Sequence, residues 1–290
     1  MKKNLEILGQ IKKEFKGHNG YILSLAVLPN GDLVSGGEDG KIKIWDTNEG
    51  TVKQTLTGHT DSIRSFVVLD VNSLVSGSDD KTIKIWNINQ ETVERTLTSH
   101  MKSVLALKVI KNGDLASGSR DKTIKIWNMS NGTLNRTLTG HTDKVWALVL
   151  LNNGDLASAS EDCAIKVWDV DFGTLKITLT GHSSHVYRLA LLKNGDLVSS
   201  SYDKTIKMWN LEDGSVKRTL TGHTQYIFAL KELKNGDLVS GSKDGTIKVW
   251  DVENGTVKKN LNVNSAINSF EVLENGDLVS ASDESIIIWY

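Results

Sequence analysis

Short hydrophobic runs alternate with polar turns along the chain, and the same arrangement returns at a regular interval of about 40 residues. In one copy a mostly apolar run at 104–110 is followed by segments of increasing polarity at 115–119, 123–127 and 133–139. The third of these segments is rich in β-branched residues, turn residues separate all of them, and no stretch has helical periodicity. Each copy is therefore predicted to form four antiparallel strands, with the apolar first strand innermost.

The first hairpin turn of a copy is usually marked by an Asn-Gly pair, such as Asn112-Gly113. This pair favours the positive φ of a tight hairpin. In the second copy Val71-Asn72 takes its place. We therefore expect Asn72 to supply the positive φ there.

The copies are in strict register. Each copy ends at a tryptophan, and the spacing between successive tryptophans is constant except for the last, which is slightly shorter. These residues are Trp45, Trp86, Trp127, Trp168, Trp209, Trp250 and Trp289. A histidine lies at one constant distance before each of the first six, at His18, His59, His100, His141, His182 and His223. A period of this size is typical of a protein whose repeated units bury their hydrophobic faces against each other.

The two ends of the chain predict how the array closes. Residues 9–15 have the pattern of a fourth strand and come before the first copy, whereas the last copy stops after its third strand at Trp289-Tyr290. Pairing the first strand beside the last one removes two exposed sheet edges. Residues 1–290 are thus predicted to form a single all-β domain of seven four-stranded units, in which about residues 9–15 complete the last unit.

Three recurring features resemble the WD-repeat β-propellers: Gly-His near the start of a repeat, Asp in its second hairpin turn, and Trp-Asp or Trp-Asn at its end. The resemblance covers essentially the whole chain and implies a seven-bladed propeller. It also implies a hydrogen-bonded network of four residues in each blade. A buried imidazole needs partners for both of its nitrogens, and a carboxylate and a hydroxyl can provide them.

The residues matching this network occur in six repeats. They are His18, Ser35, Asp39 and Trp45; His59, Ser76, Asp80 and Trp86; His100, Ser117, Asp121 and Trp127; His141, Ser158, Asp162 and Trp168; His182, Ser199, Asp203 and Trp209; and His223, Ser240, Asp244 and Trp250. In the seventh repeat Val263-Asn264 replaces Gly-His, although Ser280, Asp283 and Trp289 remain. We expect an incomplete network in that blade.

Composition narrows the possible functions. The net charge is −1, and Lys and Arg are spread through every repeat, which favours neither nucleic acid nor a membrane surface as a partner. The lone Cys163 excludes an internal disulfide framework and fits a cytoplasmic protein, expected to be a monomer. A Ser/His/Asp set that recurs in six repeats indicates a structural device, since a catalytic site occurs once. No metal or cofactor motif is present, and no enzymatic activity is predicted.

Function in a repeat protein is expected where the copies differ. Three such positions lie at one end of each blade, and the resemblance implies that this end binds partners around the central channel. The predicted partner-binding residues are Trp146, Tyr187, Phe228, Tyr226, Tyr202, His185, Lys144, Arg64 and Arg120. Of these, His185 lies outside the histidine repeat and is expected at the surface. Arg188 breaks a Ser/Ala pattern and is a weaker candidate for reaching the channel.

These residues predict a non-catalytic scaffold that binds a protein or peptide segment, for which a basic peptide is a plausible ligand because cations stack on aromatic rings. Two alternatives remain open at this stage. One is a small-molecule-binding or enzymatic propeller with a pocket at the channel mouth, where His185 and Glu161 would be the acid–base pair. The other is an engineered or recently duplicated propeller without a specific partner.

Overall fold

The structure is a computed structural model that describes residues 9–290, and every regular element within that range is a β-strand. The chain begins with β1 (Ile11–Lys16). Blade 1 follows as β2 (Ile22–Val27), β3 (Leu33–Gly37), β4 (Ile42–Trp45) and β5 (Val52–Leu56). Blade 2 contains β6 (Ile63–Val68), β7 (Ser73–Ser78), β8 (Thr82–Asn87) and β9 (Thr92–Thr98). Blade 3 contains β10 (Val104–Val109), β11 (Leu115–Ser119), β12 (Ile124–Trp127) and β13 (Leu134–Leu138).

The remaining blades follow the same order. Blade 4 contains β14 (Val145–Leu150), β15 (Leu156–Ser160), β16 (Ile165–Asp169) and β17 (Thr174–Leu179), and blade 5 contains β18 (Val186–Leu191), β19 (Leu197–Ser201), β20 (Ile206–Trp209) and β21 (Val216–Leu220). Blade 6 contains β22 (Ile227–Glu232), β23 (Leu238–Ser242), β24 (Thr246–Asp251) and β25 (Thr256–Asn262). Blade 7 contains β26 (Ile267–Val272), β27 (Leu278–Ser282) and β28 (Ser285–Trp289).

Each blade is a four-stranded antiparallel sheet, and in blades 1–6 its strands are paired in chain order from the inside outward. The first strands of neighbouring blades pack against one another around a complete circle, through β2, β6, β10, β14, β18, β22, β26 and back to β2. The architecture is therefore a seven-bladed β-propeller, as the sequence predicted. The first strands surround the channel and are partly exposed to it, as in β18, whereas the second strands are buried along almost their whole length, as in β19.

The ring closes through the two ends of the chain. β1 pairs antiparallel with β28, with Glu14 opposite Ile287 and Phe15 opposite Ile286. Blade 7 thereby gains its fourth strand, in the order β1-β28-β27-β26. The Phe15 side chain is only 3% exposed and stacks on Trp45 of blade 1 with 5.8 Å between ring centroids. The predicted closure is confirmed, although the strand runs from residue 11 to 16 instead of 9 to 15.

The hydrophobic core lies between adjacent blades. Trp86 of blade 2, for example, is fully buried in a cluster with Ile42 and Leu56 of blade 1. Small residues on the second strands permit this close packing. A Cβ atom added to Gly36 would stand 2.7 Å from Cγ2 of Ile63 in the next blade, which is too close for any side chain.

The first hairpin turn of blade 2 differs from the expectation. Gly113, in the Asn-Gly turn of blade 3, has a φ of 86°, whereas Asn72 is not among the residues with positive φ. Its N–H donates instead to Oδ1 of Asp70, at 2.7 Å. The prediction for Asn72 was wrong because an Asp side chain closes this turn without a left-handed residue.

Candidate functional site

Four side chains form one connected network in each of the first six blades. In blade 3 the Trp127 indole N–H donates to Ser117 Oγ at 2.8 Å, and the Ser117 hydroxyl lies 2.7 Å from His100 Nε2. His100 Nδ1 lies 2.7 Å from an oxygen of Asp121. Since the serine oxygen accepts from the indole, its hydroxyl can donate to Nε2, which assigns the imidazole proton to Nδ1 and its donation to the carboxylate.

The same contacts recur with little variation. The distance from histidine Nε2 to serine Oγ is 2.7 Å in all six blades, for His18, His59, His100, His141, His182 and His223. All six histidines are buried, with 4–8% of their surface exposed. The carboxylate also accepts the backbone N–H of the residue after the histidine, for example Thr224 N–H on Asp244 at 2.9 Å. The network therefore connects the entering loop, the second strand, the turn and the third strand.

Blade 7 has only part of this network. Trp289 donates to Ser280 Oγ at 2.8 Å, as in the other blades. No histidine joins them, and Asp283 accepts instead from the Ser265 hydroxyl at 2.6 Å. The expected departure of the seventh repeat is thus visible as a missing bridge between the serine and the aspartate.

Burial and hydrogen bonding shift the pKa values in the network. Burial lowers the pKa of His18 and His223 below the ordinary 6.5, although the neighbouring carboxylates oppose that shift. Burial alone would raise the pKa of Asp162, but the hydrogen bond and charge of His141 and two backbone N–H groups outweigh it and lower the value to about 2. At His18 and His223 the lowered pKa therefore favours a neutral imidazole in the folded state.

Acidification is accordingly expected to destabilise the propeller well above the range in which carboxylates titrate. His18 and His223 bind protons more readily in the unfolded chain, so their contribution is complete above pH 6.5 and declines as the pH falls below that value. Each group can cost up to about 1.4 kcal/mol per pH unit. Urea unfolding at several pH values measures this dependence. A free energy of unfolding that stayed constant or rose on acidification would contradict it.

The variable positions meet at the mouth of the central channel. A cavity there is lined by Leu23, Arg64, Leu105, Trp146, Tyr187, Arg188 and Asn268, which come from six of the seven innermost strands. Its volume is about 20 Å³, which is room for about one water molecule. The cavity among these side chains is therefore too small to hold a small-molecule ligand.

Six aromatic side chains from blades 4, 5 and 6 form one continuous group, which we call the aromatic cluster. Its members are Trp146, His185, Tyr187, Tyr202, Tyr226 and Phe228. Tyr202 and Tyr226 stack at 4.3 Å with an interplanar angle of 6°. Tyr187 contacts Trp146 at 4.8 Å and Phe228 at 5.2 Å, and His185 lies 5.0 Å from Tyr202. The structure thus brings together all six aromatic residues singled out from the sequence.

The members of the aromatic cluster are half-buried, because each covers part of its neighbour. His185, which was expected at the surface, keeps 35% of its side chain exposed. Tyr202 lies at the centre, where burial and the nearby Tyr187 and Glu161 raise its pKa to about 12. The cluster therefore presents the edges and outer faces of a preformed stack of rings and no freely rotating side chains.

Glu161 is shared by several partners beside the cluster. It accepts from Lys144 at 2.8 Å and from the Trp146 indole at 3.2 Å, and His185 Nδ1 lies 3.7 Å away. The proposed acid–base pair of His185 and Glu161 is therefore embedded in other contacts. The nearby Cys163 is no better as a nucleophile, because burial and the surrounding carboxylates raise the pKa of its thiol.

The other predicted partner-binding residues, Arg64 and Arg120, lie around Asp79. Arg64 donates through Nε at 2.8 Å, whereas the nearest guanidinium nitrogen of Arg120 is 3.9 Å from the carboxylate. Arg188 stacks over Tyr187 at 4.7 Å, and Lys243 lies 5.6 Å from the Tyr226 ring centre. The chain's own cations thus already cover two of the aromatic faces.

Sequence reasoning missed a set of ion pairs at the opposite end of the blades. In five blades a lysine of the fourth strand reaches the aspartate that follows the first hairpin turn, at 2.6–2.7 Å: Lys12–Asp277, Lys53–Asp32, Lys176–Asp155, Lys217–Asp196 and Lys258–Asp237. In four of the pairs the aspartate and the lysine keep one constant spacing along the chain, and this signal could have revealed them. Exposed pairs of this kind contribute at most about 1 kcal/mol each.

Metal ligation and membrane insertion can be assessed for the described part of the chain, residues 9–290. It contains no group of three or more His, Cys, Asp or Glu residues placed to hold a metal ion. It also contains no helix that is long and apolar enough to cross a membrane.

The repeated fold and its network define a class of protein, and comparison with known sequences identifies that class. The WD40 family model, described as WD domain, G-beta repeat, matches residues 9–46, 50–87, 91–128, 132–169, 173–210 and 214–251. These stretches cover well over half of the chain and end before the blade that lacks histidine. The protein belongs to the WD-repeat family.

Similarity to individual curated proteins is confined to short segments. The small ribosomal subunit protein RACK1 of Glycine max is 48% identical over 42 residues, and RACK1y of Oryza sativa subsp. japonica is 45% identical over 42 residues. THO complex subunit 6 of Drosophila melanogaster is 39% identical over 41 residues. Each match covers 14% of this chain and only 12–13% of the relative. The family and these relatives support a protein-interaction scaffold in general.

Proposed function

We propose that this propeller is a non-catalytic scaffold that binds a protein or peptide segment across the aromatic cluster at the channel mouth. The observation that carries the proposal is the stack of six rings supplied by three consecutive blades. At the position of Trp146, Tyr187 and Phe228, the other blades have Leu23, Arg64, Leu105 and Asn268. The scaffold alone does not require aromatic residues there.

Preorganisation makes this cluster suitable for binding. The rings already hold one another in place. Binding a partner would therefore cost less side-chain entropy than it would with mobile rings. Aromatic residues at the centre of an interface typically account for much of its binding energy. The charged groups beside the cluster, Lys144, Glu161 and Lys243, would form its polar rim.

The charges around the mouth favour a neutral or acidic segment over the basic peptide first considered. The variable positions carry four cations and three carboxylates, and Arg188 adds a fifth cation beside them; the cations are Arg64, Arg120, Lys144 and Lys243, and the carboxylates are Glu38, Asp79 and Glu161. Asp79 is within 4.0 Å of Arg64 and Arg120, and Glu161 is within 4.0 Å of Lys144. Arg188 and Lys243 have no carboxylate within that distance among residues 9–290. An incoming cation would meet like charge at the aromatic faces.

The alternative of a small-molecule or enzymatic pocket at the mouth is less well supported. A cavity of about 20 Å³ is far below the roughly 300–1,000 Å³ of typical ligand pockets.

The proposal also places the protein in the cytoplasm, which its single thiol, Cys163, supports.

A triple substitution of Trp146, Tyr187 and Phe228 by Leu tests the proposed interface. Leucine is chosen because Leu23 and Leu105 occupy the same position in blades 1 and 3, so apolar packing is retained while the rings are removed. We expect capture of the partner to fall at least tenfold, since the loss of a few central anchors removes several kcal/mol. Quantitative affinity capture from a cell lysate provides the measurement.

The matched control replaces an aromatic ring outside the cluster. Phe172 is 76% exposed in the turn between β16 and β17, and Phe172→Ala is expected to leave capture unchanged. Circular dichroism must show that the triple variant remains folded. Equal capture by the folded triple variant and the parent protein would refute the proposed interface.

A further inference from the structure

A group of charged side chains on the innermost strands is not used by the proposed interface. It occupies one repeat position, which pairs with the second strand in the same register in every blade. The residues at this position are Lys108, Lys231 and Glu271 in blades 3, 6 and 7, and Ala26, Val67, Val149 and Ala190 in the other four. The fold itself therefore does not require a charge there.

Two of the three charged groups pair with each other. Lys231, on β22 of blade 6, donates through Nζ to Oε2 of Glu271, on β26 of blade 7, at 2.7 Å. Their side chains remain 36% and 23% exposed. Solvent therefore reaches this pair, although both residues belong to innermost strands.

Lys108 has no such partner. Its side chain is half-buried, and no carboxylate lies within 4.0 Å of its ammonium among residues 9–290. Burial and the positive charge of Lys231 lower the pKa of Lys108, whereas the charge of Glu271 opposes this shift. The strand of Lys108, β10, packs against β6 and β14, while blades 6 and 7 lie on the other side of the ring. The charges of Lys231 and Glu271 therefore reach Lys108 across the channel.

The three groups together leave one positive charge uncompensated. Charges in a partly buried channel are screened less than those on an open surface, so they attract an entering anion more strongly. Because Glu271 already pairs with Lys231, one further negative charge would balance the group, and two would exceed it. A carboxylate carries a single charge, and its two oxygens can accept from two ammonium groups.

We propose that the central channel binds a small carboxylate between Lys108 and Lys231. The carboxylate belongs either to a free organic acid or to the C-terminus of a peptide segment. Lys108 lies near the end of β10 that leads into the Asn112-Gly113 turn, which is the end of the blade opposite the aromatic cluster. This site does not depend on the proposed function of the aromatic cluster, and either can fail without the other.

The test titrates the full-length protein with sodium acetate at constant ionic strength. The methyl signals of Val67 and Val149 in a proton–carbon correlation spectrum report binding, because these valines take the position of Lys108 in the two adjacent blades. Val67→Ala and Val149→Ala assign the signals. We expect a saturable shift with a Kd on the order of millimolar, as suits a ligand of so few atoms. The absence of a saturable shift would overturn the site.

Three variants give different expected results. Lys108→Met removes the charge and should weaken acetate binding at least tenfold; the variant should fold, because Ala26 and Val67 show that an uncharged residue fits this position. Glu271→Gln releases Lys231 and should tighten binding about threefold. Lys111→Met changes an exposed lysine in the following turn and should bind like the parent protein. Binding that Lys108→Met leaves unchanged, or that Glu271→Gln weakens, would contradict the proposal.

Other probes identify the source and the charge of the ligand. Binding of N-acetylglycylglycine at least as tight as that of acetate would support the C-terminus of a segment, and weaker binding would support a free organic acid. Equal shifts with chloride would overturn the assignment of a carboxylate. Tighter binding of sulfate than of acetate would contradict the balance of a single charge.

Discussion

A chain lacking residues 1–16 is expected to lose its cooperative folding transition. Without β1, blade 7 would expose the backbone edge of β28, whose sequence Ser-Ile-Ile-Ile-Trp is strongly apolar. An open hydrophobic strand of this kind promotes edge-to-edge association. The truncated chain should therefore aggregate or unfold at ordinary temperatures, as followed by circular dichroism and analytical centrifugation. A truncated protein that remained monomeric and melted like the parent would refute the closure.

Rescue by a peptide and a substitution within β1 distinguish the loss of this strand from general effects of truncation. A synthetic peptide of residues 9–17 should restore folding by pairing with β28, whereas a scrambled peptide should not. Within the intact chain, Phe15→Ala should lower the free energy of unfolding by about 3–5 kcal/mol, because the ring is 3% exposed between two blades. Phe172→Ala removes the same ring from a 76% exposed position and should change stability by less than about 0.5 kcal/mol.

Ser199→Ala removes a single oxygen atom from a network but is expected to lower the free energy of unfolding strongly. Ser199 is fully buried, accepts from Trp209 at 2.8 Å and contacts His182 Nε2 at 2.7 Å. Its loss leaves two buried polar groups without a partner, at about 1–3 kcal/mol each. The free energy of unfolding should therefore fall by about 2–6 kcal/mol in urea denaturation.

Blade 7 provides the matched control for this substitution. Ser280 is equally buried and accepts from Trp289 at 2.8 Å, but no histidine contacts it. Ser280→Ala should thus cost about 1–3 kcal/mol less than Ser199→Ala, the difference being the contribution of the histidine contact. Equal losses for the two variants would show that the imidazole adds nothing to stability.

Much of the fold could be predicted because the same pattern of residues recurs in every repeat. The interval between successive tryptophans fixed the number of blades, and the spare strand before His18 indicated how the ring closes. The partners of His100 followed from the same register, since a buried imidazole has few ways to satisfy both nitrogens. In each case a single physical requirement appears in several copies, so the copies support one another.

The details of the candidate site were harder to predict because they depend on contacts between blades. Tyr202 and Tyr226 lie in different blades, and their stacking depends on side-chain orientations that spacing does not specify. The partial burial of the aromatic cluster follows from such contacts. Asn72 shows the same limit within one turn, where Asp70 supplied another solution. The entering loop of blade 7, one residue shorter than the others, likewise bonds to a neighbouring blade, where the N–H of Val263 donates to the carbonyl of Gly245 at 2.8 Å.

The pairing of β1 with β28 also affects how the protein can be synthesised in the cell. Ile11 pairs with Trp289, which the ribosome adds only after all the other blades have been synthesised. At translation rates of about 5–20 residues per second, the first strand waits on the order of 15–55 s for its partner. The nascent chain must therefore keep six blades and an unmatched strand soluble until Trp289 has been added. Chaperone engagement during synthesis should end only when this tryptophan leaves the exit tunnel.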